Sequence, residues 1–179
     1  MCTVFLKACS LQNSIDLSVL PTAILQRSNS YKKSNKSNES LLAWCTLNSL
    51  LLSVTGKDLK EYEITFSSRG KPLINNGFIS LSHSDGVVVV GYSSVDFGVD
   101  IENVENALKY TAVSKKLGVT DDKSLFKRWT EIESAAKLND SFSLQIDKNI
   151  VLKGDEIVVN GKKIAYTVAS FNNFNVKFM

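Results

Sequence analysis

Phe97-Gly98-Val99-Asp100-Ile101-Glu102 is the stretch on which the fold turns. In an extended chain successive side chains point to opposite faces. Val99 and Ile101 therefore enter a core, while Asp100 and Glu102 share the other face. Further along, Trp129-Thr130-Glu131-Ile132-Glu133-Ser134-Ala135-Ala136-Lys137 reads as a helix, and Glu133 and Lys137 lie on one side of it. A strand bearing paired acids, followed by a helix bearing a third acid and an ammonium, frames the rest of the chain.

Each half has a plain structural reading when taken alone. An apolar run ending in Asp-x-Glu is a strand leaving the core. A Glu–Lys pair at helical spacing is a solvated pair contributing about 0.2–0.5 kcal/mol. Together, two acids from a strand, one from a helix and a nearby lysine can hold a hard divalent cation against a phosphate. Asp100, Glu102 and Glu133 are thus candidate metal ligands, with Lys137 beside them.

With 179 residues the chain suits one domain, or two small and intimately packed halves. Its 44% hydrophobic and 22% charged content are those of a globular protein with a sizeable core. A net charge of +3 falls far short of a nucleic-acid signature. Cys2, Cys9 and Cys45 lack metal-type spacing and read as reduced thiols of a cytosolic protein. No apolar stretch is long enough to span a bilayer, and no basic-then-apolar leader opens the sequence, so a cytoplasmic protein is expected.

Outward from the central strand, residues 3–8 read as a strand and residues 22–26 as the start of a helix. A polar stretch, residues 27–40, lacks apolar periodicity and is expected to be a loop or frayed helix end. Residues 41–54 form the clearest helix, with Leu41, Trp44 or Cys45, Leu47 or Asn48, and Leu51 spaced for burial, and Gly56 stops it. Residues 78–82 and 87–92 suggest a hairpin around His83-Ser84-Asp85-Gly86. Residues 125–138 are helical, with a buried stripe of Leu125, Trp129, Ile132 and Ala136. Strands are expected at 141–146, 156–159 and 163–170, with Asn160-Gly161 as a turn, and at 174–178. One main helix and several mostly antiparallel strands in each half make an α+β fold, divided at 1–96 and 97–179.

The only histidine, His83, rules out multi-histidine metal sites and with them the usual zinc catalysis. No Gly-x-Ser-x-Gly elbow supports a Ser-His-Asp hydrolase. Gly70-Lys71-Pro72 fails as a phosphate loop, because Pro72 occupies the Ser/Thr position. A metal site for simple nucleotide hydrolysis is disfavoured, because no second acidic cluster is present for a two-metal centre.

Taken in order, Gly70-Lys71-Pro72, then Ser82-His83-Ser84 at the end of an apolar run, then Gly98-Val99-Asp100-Ile101-Glu102, then Trp129 through Glu133 to Lys137, resemble the 4′-phosphopantetheinyl transferase superfamily. The likeness is to its longer, surfactin-synthetase-activating branch. The resemblance implies two similar α+β lobes in one chain, a pseudo-dimer for which a monomer suffices, with coenzyme A in the cleft between them. It implies Mg²⁺ on Asp100, Glu102 and Glu133, nucleotide contacts from Lys71, Ser82 and His83, and a pyrophosphate contact from Lys137. The implied reaction transfers phosphopantetheine from coenzyme A to a serine hydroxyl of an acyl or peptidyl carrier protein. Glu133, directly or through a metal-bound water, is the candidate base and Lys137 the charge-neutralising partner. Carrier proteins generally present an acidic helix, so Lys109, Lys115, Lys116, Lys123, Lys127 and Arg128 form a docking stretch in this reading.

The chain departs from that pattern in four ways. Ile132, preceded by Glu131, stands where a lysine usually precedes the helix glutamate. Glu39 stands where a basic residue usually binds the terminal phosphate of coenzyme A; Lys32, Lys33 or Lys36 are the available substitutes. The glycine-containing segment that normally follows the helix lysine is missing, and the chain is short for this branch. These departures bear on coenzyme A affinity, and they raise the alternative of a degenerate member that binds a carrier without modifying it.

Overall fold

In a computed structural model, which describes residues 1–12, 15–31, 34–105 and 111–179, the described residues form nine strands and four α-helices. In chain order these are β1 (Cys2–Ser10), α1 (Thr22–Asn29), α2 (Ser34–Thr55), β2 (Ile64–Phe66), β3 (Pro72–Ile74), β4 (Phe78–Ser84), β5 (Val87–Ser93) and β6 (Gly98–Asn103). There follow α3 (Thr111–Leu117), α4 (Asp122–Asn139), β7 (Val151–Val159), β8 (Lys162–Ser170) and β9 (Phe174–Phe178). Lys32, Lys33 and Lys109, named above, lie outside the described residues. The α+β class follows directly.

Val87-Val88-Val89-Val90 in β5 explains the layering. All four are fully buried, which requires cover on both faces of their sheet, ordered β4-β5-β1-β9. Val88 and Val90 pack with Leu41, Leu47, Leu50 and Leu51 of α2. Val87 and Val89 pack with Val99, Ile101, Ile164 and Val168 of a second sheet, ordered β6-β8-β7. The far side of that second sheet is covered by α4, through Ala135 and Leu138 against Ile150 and Ala169. The result is a helix, sheet, sheet, helix stack. Fully burying leucines such as Leu47, Leu50 and Leu51 contributes roughly 2 kcal/mol each.

Two hairpin turns follow the sequence signals. Asp85-Gly86 and Asn160-Gly161 each place both residues at positive φ (48° and 79°, 50° and 78°), as a two-residue turn between twisted strands demands. Gly98 serves a different purpose. A Cβ there would lie 2.0 Å from the Ser134 carbonyl and 2.7 Å from the Leu138 nitrogen, so glycine lets α4 lie directly on β6.

Several expectations are corrected. The polar stretch 27–40 is largely helical: α1 runs to Asn29 and α2 begins at Ser34. Ser28 Oγ lies 3.0 Å from Ser40 Oγ and Arg27 4.0 Å over the Phe66 ring, contacts that require no apolar period. Residues 141–146 are not a strand. Asp140 caps α4 in the left-handed region, at φ 49°, and Phe142 stacks against Trp129 at 6.2 Å. Trp129 and Ala136 are therefore half-buried, and Phe126, Ala135 and Leu138 take their place in the buried stripe beside Leu125 and Ile132. The final strand, β9, runs parallel to β1, returning the end of the chain to the first sheet. The three cysteines are free, and burial pushes the Cys45 thiol up to about 11. No helix among the described residues is long and apolar enough to cross a membrane.

Candidate functional site

The central acids lie where β6 meets α4. Asp100 is 5% exposed, and its Oδ1 accepts hydrogen bonds from Lys137 Nζ at 2.7 Å and Ser82 Oγ at 2.8 Å. Lys137 Nζ also donates to the Val99 carbonyl at 3.1 Å, so the ammonium bridges the helix to the strand. Asp100 Oδ2 is buried with no hydrogen-bond partner. Glu133 stands one turn before Lys137. Burial raises its pKa above the ordinary glutamate value, the Asp100 charge raises it further, and Lys137 opposes the rise. Glu102 is turned toward β4, its Oε2 accepting from Ser84 Oγ at 2.8 Å.

Strand alternation splits the Ser82-His83-Ser84 triplet. The two serines face β6 and its acids. His83 faces the other way, toward α2, where its Nδ1 lies 3.0 Å from Glu39 Oε2. Glu39 Oε1 in turn accepts the Gly86 N–H at 2.7 Å, and this buried carboxylate is held below the usual glutamate range, chiefly by the His83 hydrogen bond. The histidine is thus separated from Asp100, Glu133 and Lys137. It sits by a cavity of about 490 Å³ lined by Glu39, Asp85, Gly86 and Lys162.

Lys71 is drawn toward the acids' side of the molecule. Its Nζ, 13% exposed, binds Asp96 Oδ1 at 2.9 Å and the Leu138 carbonyl at 2.9 Å, closing the C-terminal end of α4 onto the loop before β6. Lys71, Arg69, Glu133, Lys137, Leu81 and Phe142 line a cavity of about 410 Å³ between the 69–72 turn, β4 and α4. A lining that combines cationic groups with apolar ones suits a ligand with a phosphate end and a less polar arm. A larger cavity of about 540 Å³, between α4 and β7–β8, holds none of the catalytic or metal residues expected from sequence, only Lys123 and Lys127 of the basic stretch. Those two lysines, with Lys115 and Lys116, are exposed.

Among the described residues no three histidine, cysteine or acidic side chains converge into a metal cage, so Asp100, Glu102 and Glu133 do not form one by themselves. What they offer is smaller: an orphaned, buried carboxylate oxygen on Asp100 beside a glutamate whose pKa is raised by burial and then by that same charge. A cation would relieve both. Mg²⁺ commonly uses one or two carboxylates and completes its shell with water and substrate phosphate, so the donor set fits that ion. Sequence reading missed Asp96 and Arg69, which carry no pattern of their own. It also passed over Ser80 and gave Ser84 no role of its own, although the Ser80-x-Ser82-x-Ser84 alternation was there to be read. Ile132 is fully buried, so the position where a lysine was expected belongs to the core. Comparison with known family models and with curated proteins gives no match.

Proposed function

We propose that the protein is a Mg²⁺-dependent 4′-phosphopantetheinyl transferase, moving phosphopantetheine from coenzyme A to the serine hydroxyl of an acyl or peptidyl carrier protein. The observation that carries the reading is the Asp100–Glu133–Lys137 constellation, with its orphaned oxygen, next to a cleft lined by further cations. In this reading the two helix-on-sheet units are the two lobes of one fold, and coenzyme A lies along the cleft of about 410 Å³. Asp100 Oδ2 and Glu133 would hold the metal, with Glu102 behind them. When bound, Mg²⁺ supplies charge neutralisation at the pyrophosphate.

The chain's own residues carry the remaining work. Lys137, already an ion-pair partner of Asp100, is placed to take a phosphate oxygen. Glu133, directly or through a metal-bound water, accepts the proton of the attacking serine hydroxyl as the new phosphodiester forms and adenosine 3′,5′-bisphosphate leaves. Exposed Lys115, Lys116, Lys123 and Lys127 offer an acidic carrier helix a docking face.

The test is mass spectrometry of apo carrier proteins from fatty-acid, polyketide and peptide synthesis, incubated with the protein, coenzyme A and Mg²⁺. One carrier is expected to gain a single phosphopantetheine. Glu133→Gln is expected to lower the rate by about 10²–10⁴, the range of general-base catalysis. Modification at an undiminished rate by this variant, or no modification of any carrier, overturns the proposal. A second reading, carrier binding without transfer, is favoured by the Glu39–His83 pair, which leaves a paired carboxylate where the resemblance implies a cation for the terminal phosphate of coenzyme A. Capture of a carrier that stays unmodified under these conditions would support it.

A further inference from the structure

The edge of β6 is closed in an unusual way. Its outward N–H groups are not paired with another strand; they are accepted by serine hydroxyls projecting from β4. Val99 N–H donates to Ser80 Oγ at 3.0 Å, Ile101 N–H to Ser82 Oγ at 3.3 Å, and Asn103 N–H to Ser84 Oγ at 3.1 Å. Because both strands repeat every second residue, the three rungs share one register, and all three serines are buried. Such a ladder covers a sheet edge that would otherwise need a strand or solvent.

The rungs are not equivalent. Ser80 only accepts; among the described residues it bonds to no carboxylate. Ser82 also donates its hydroxyl to Asp100 Oδ1 at 2.8 Å, and Ser84 donates to Glu102 Oε2 at 2.8 Å. A hydroxyl that accepts a backbone N–H has its remaining proton directed away from that N–H, so the Ser82 and Ser84 rungs each fix both the strand edge and the rotamer of one acid. At Asp100, Ser82 and Lys137 share Oδ1 and leave Oδ2 with no partner.

We infer that Ser82 and Ser84 are positioning residues that aim the two β6 carboxylates, and that Ser82, by engaging Oδ1, reserves Asp100 Oδ2 for a divalent cation. The inference rests on the proposed reading of Asp100 as a metal ligand. It differs from the sequence expectation for Ser82: this serine acts through Asp100 and does not need to touch coenzyme A. Hydrogen bonds from outside the metal's own ligands typically govern affinity by 10–100-fold.

The three rungs supply their own control. Coenzyme A is titrated calorimetrically, with Mg²⁺ and with EDTA, into the wild-type protein and into Ser80→Ala, Ser82→Ala, Ser84→Ala and Ser82→Thr, and each melting temperature is measured. All three alanine variants are expected to melt lower, since each exposes one strand N–H. Only Ser82→Ala and Ser84→Ala are expected to lose the strengthening by Mg²⁺, by about tenfold for Ser82. Their metal-free affinities stay near wild type, and Ser82→Thr, which keeps the hydroxyl, recovers the metal effect. If Mg²⁺ strengthens wild-type binding and Ser82→Ala retains that gain, or Ser80→Ala loses as much, the positioning inference fails while the proposed function stands. If the wild-type protein shows no metal-strengthened binding at all, both fall together.

Discussion

The molecule uses one arrangement twice, a long helix laid on a sheet, and spends it differently each time. On the first sheet α2 inserts bulky side chains, with Leu42, Leu47, Leu50 and Leu51 at 0–2% exposure. On the second, α4 approaches so closely that glycine is required at 98, and its contact surface is built from Ser134, Ala135, Thr130 and Leu138. Bulk gives α2 burial energy. Closeness gives α4 something else: Glu133 and Lys137 are brought within reach of Asp100, in a space dry enough to raise the Glu133 pKa. Apolar volume serves stability, and the tight, polar contact holds the candidate site together.

That contrast can be broken most forcefully at Leu47. Leu47→Ala, which empties the α2 core, is expected to cost about 3 kcal/mol in chemical denaturation without altering coenzyme A affinity. A loss of affinity matching the loss of stability would show that the two contacts are not separable. Gly98→Ala tests the other side. The added methyl meets the backbone of α4, so about 2 kcal/mol is expected to be lost, together with the metal-strengthened binding, as Lys137 moves away from Asp100. Full retention of metal-strengthened binding by this variant would separate the close approach from the site.

Smaller effects sharpen the comparison through pH. In the metal-free protein burial raises the Glu133 pKa, so its carboxyl signal, followed by NMR without Mg²⁺, should titrate above the ordinary glutamate range. Lys137 lowers it, so in metal-free Lys137→Met the same titration is expected to move to still higher pH. Glu39 behaves in the opposite sense. Its pKa is depressed in the folded protein, so its contribution to stability is present above the unfolded-state value and is lost as pH falls through the folded one. Melting temperatures from pH 6 to pH 3 should therefore fall less in Glu39→Gln than in the wild-type protein. An identical slope in both would remove the Glu39–His83 pair from the account.

The elements of the chain were legible in proportion to how local their causes are. Strand alternation at Val99-Asp100-Ile101-Glu102, the turns at Asp85-Gly86 and Asn160-Gly161, and the leucine periodicity of α2 all act over a few residues. Each appears in the structure where sequence placed it. So does the one-sided pairing of Glu133 with Lys137 on a single helix. What failed was non-local. The helices around the polar stretch are held by Ser28 meeting Ser40 and Arg27 meeting Phe66, partners with no shared period. Residues 141–146 alternate like a strand but lack a partner edge, and Phe142 found Trp129 instead.

By itself, then, the sequence determined the α+β class, the faces of the central strand, and the set of acids, lysines and serines available for chemistry. Only the tertiary structure decided which of them meet. It put Ser82 and Ser84 on the acids and His83 on Glu39, tied Lys71 to Asp96, and left Glu102 against Ser84 and not in a three-acid cage. The physical reason lies in the range of the forces. Backbone geometry and hydrophobic period are set by near neighbours along the chain. The distance from Asp100 to Lys137 is set by how closely two packed elements approach, and here that depends on the absence of a side chain at Gly98.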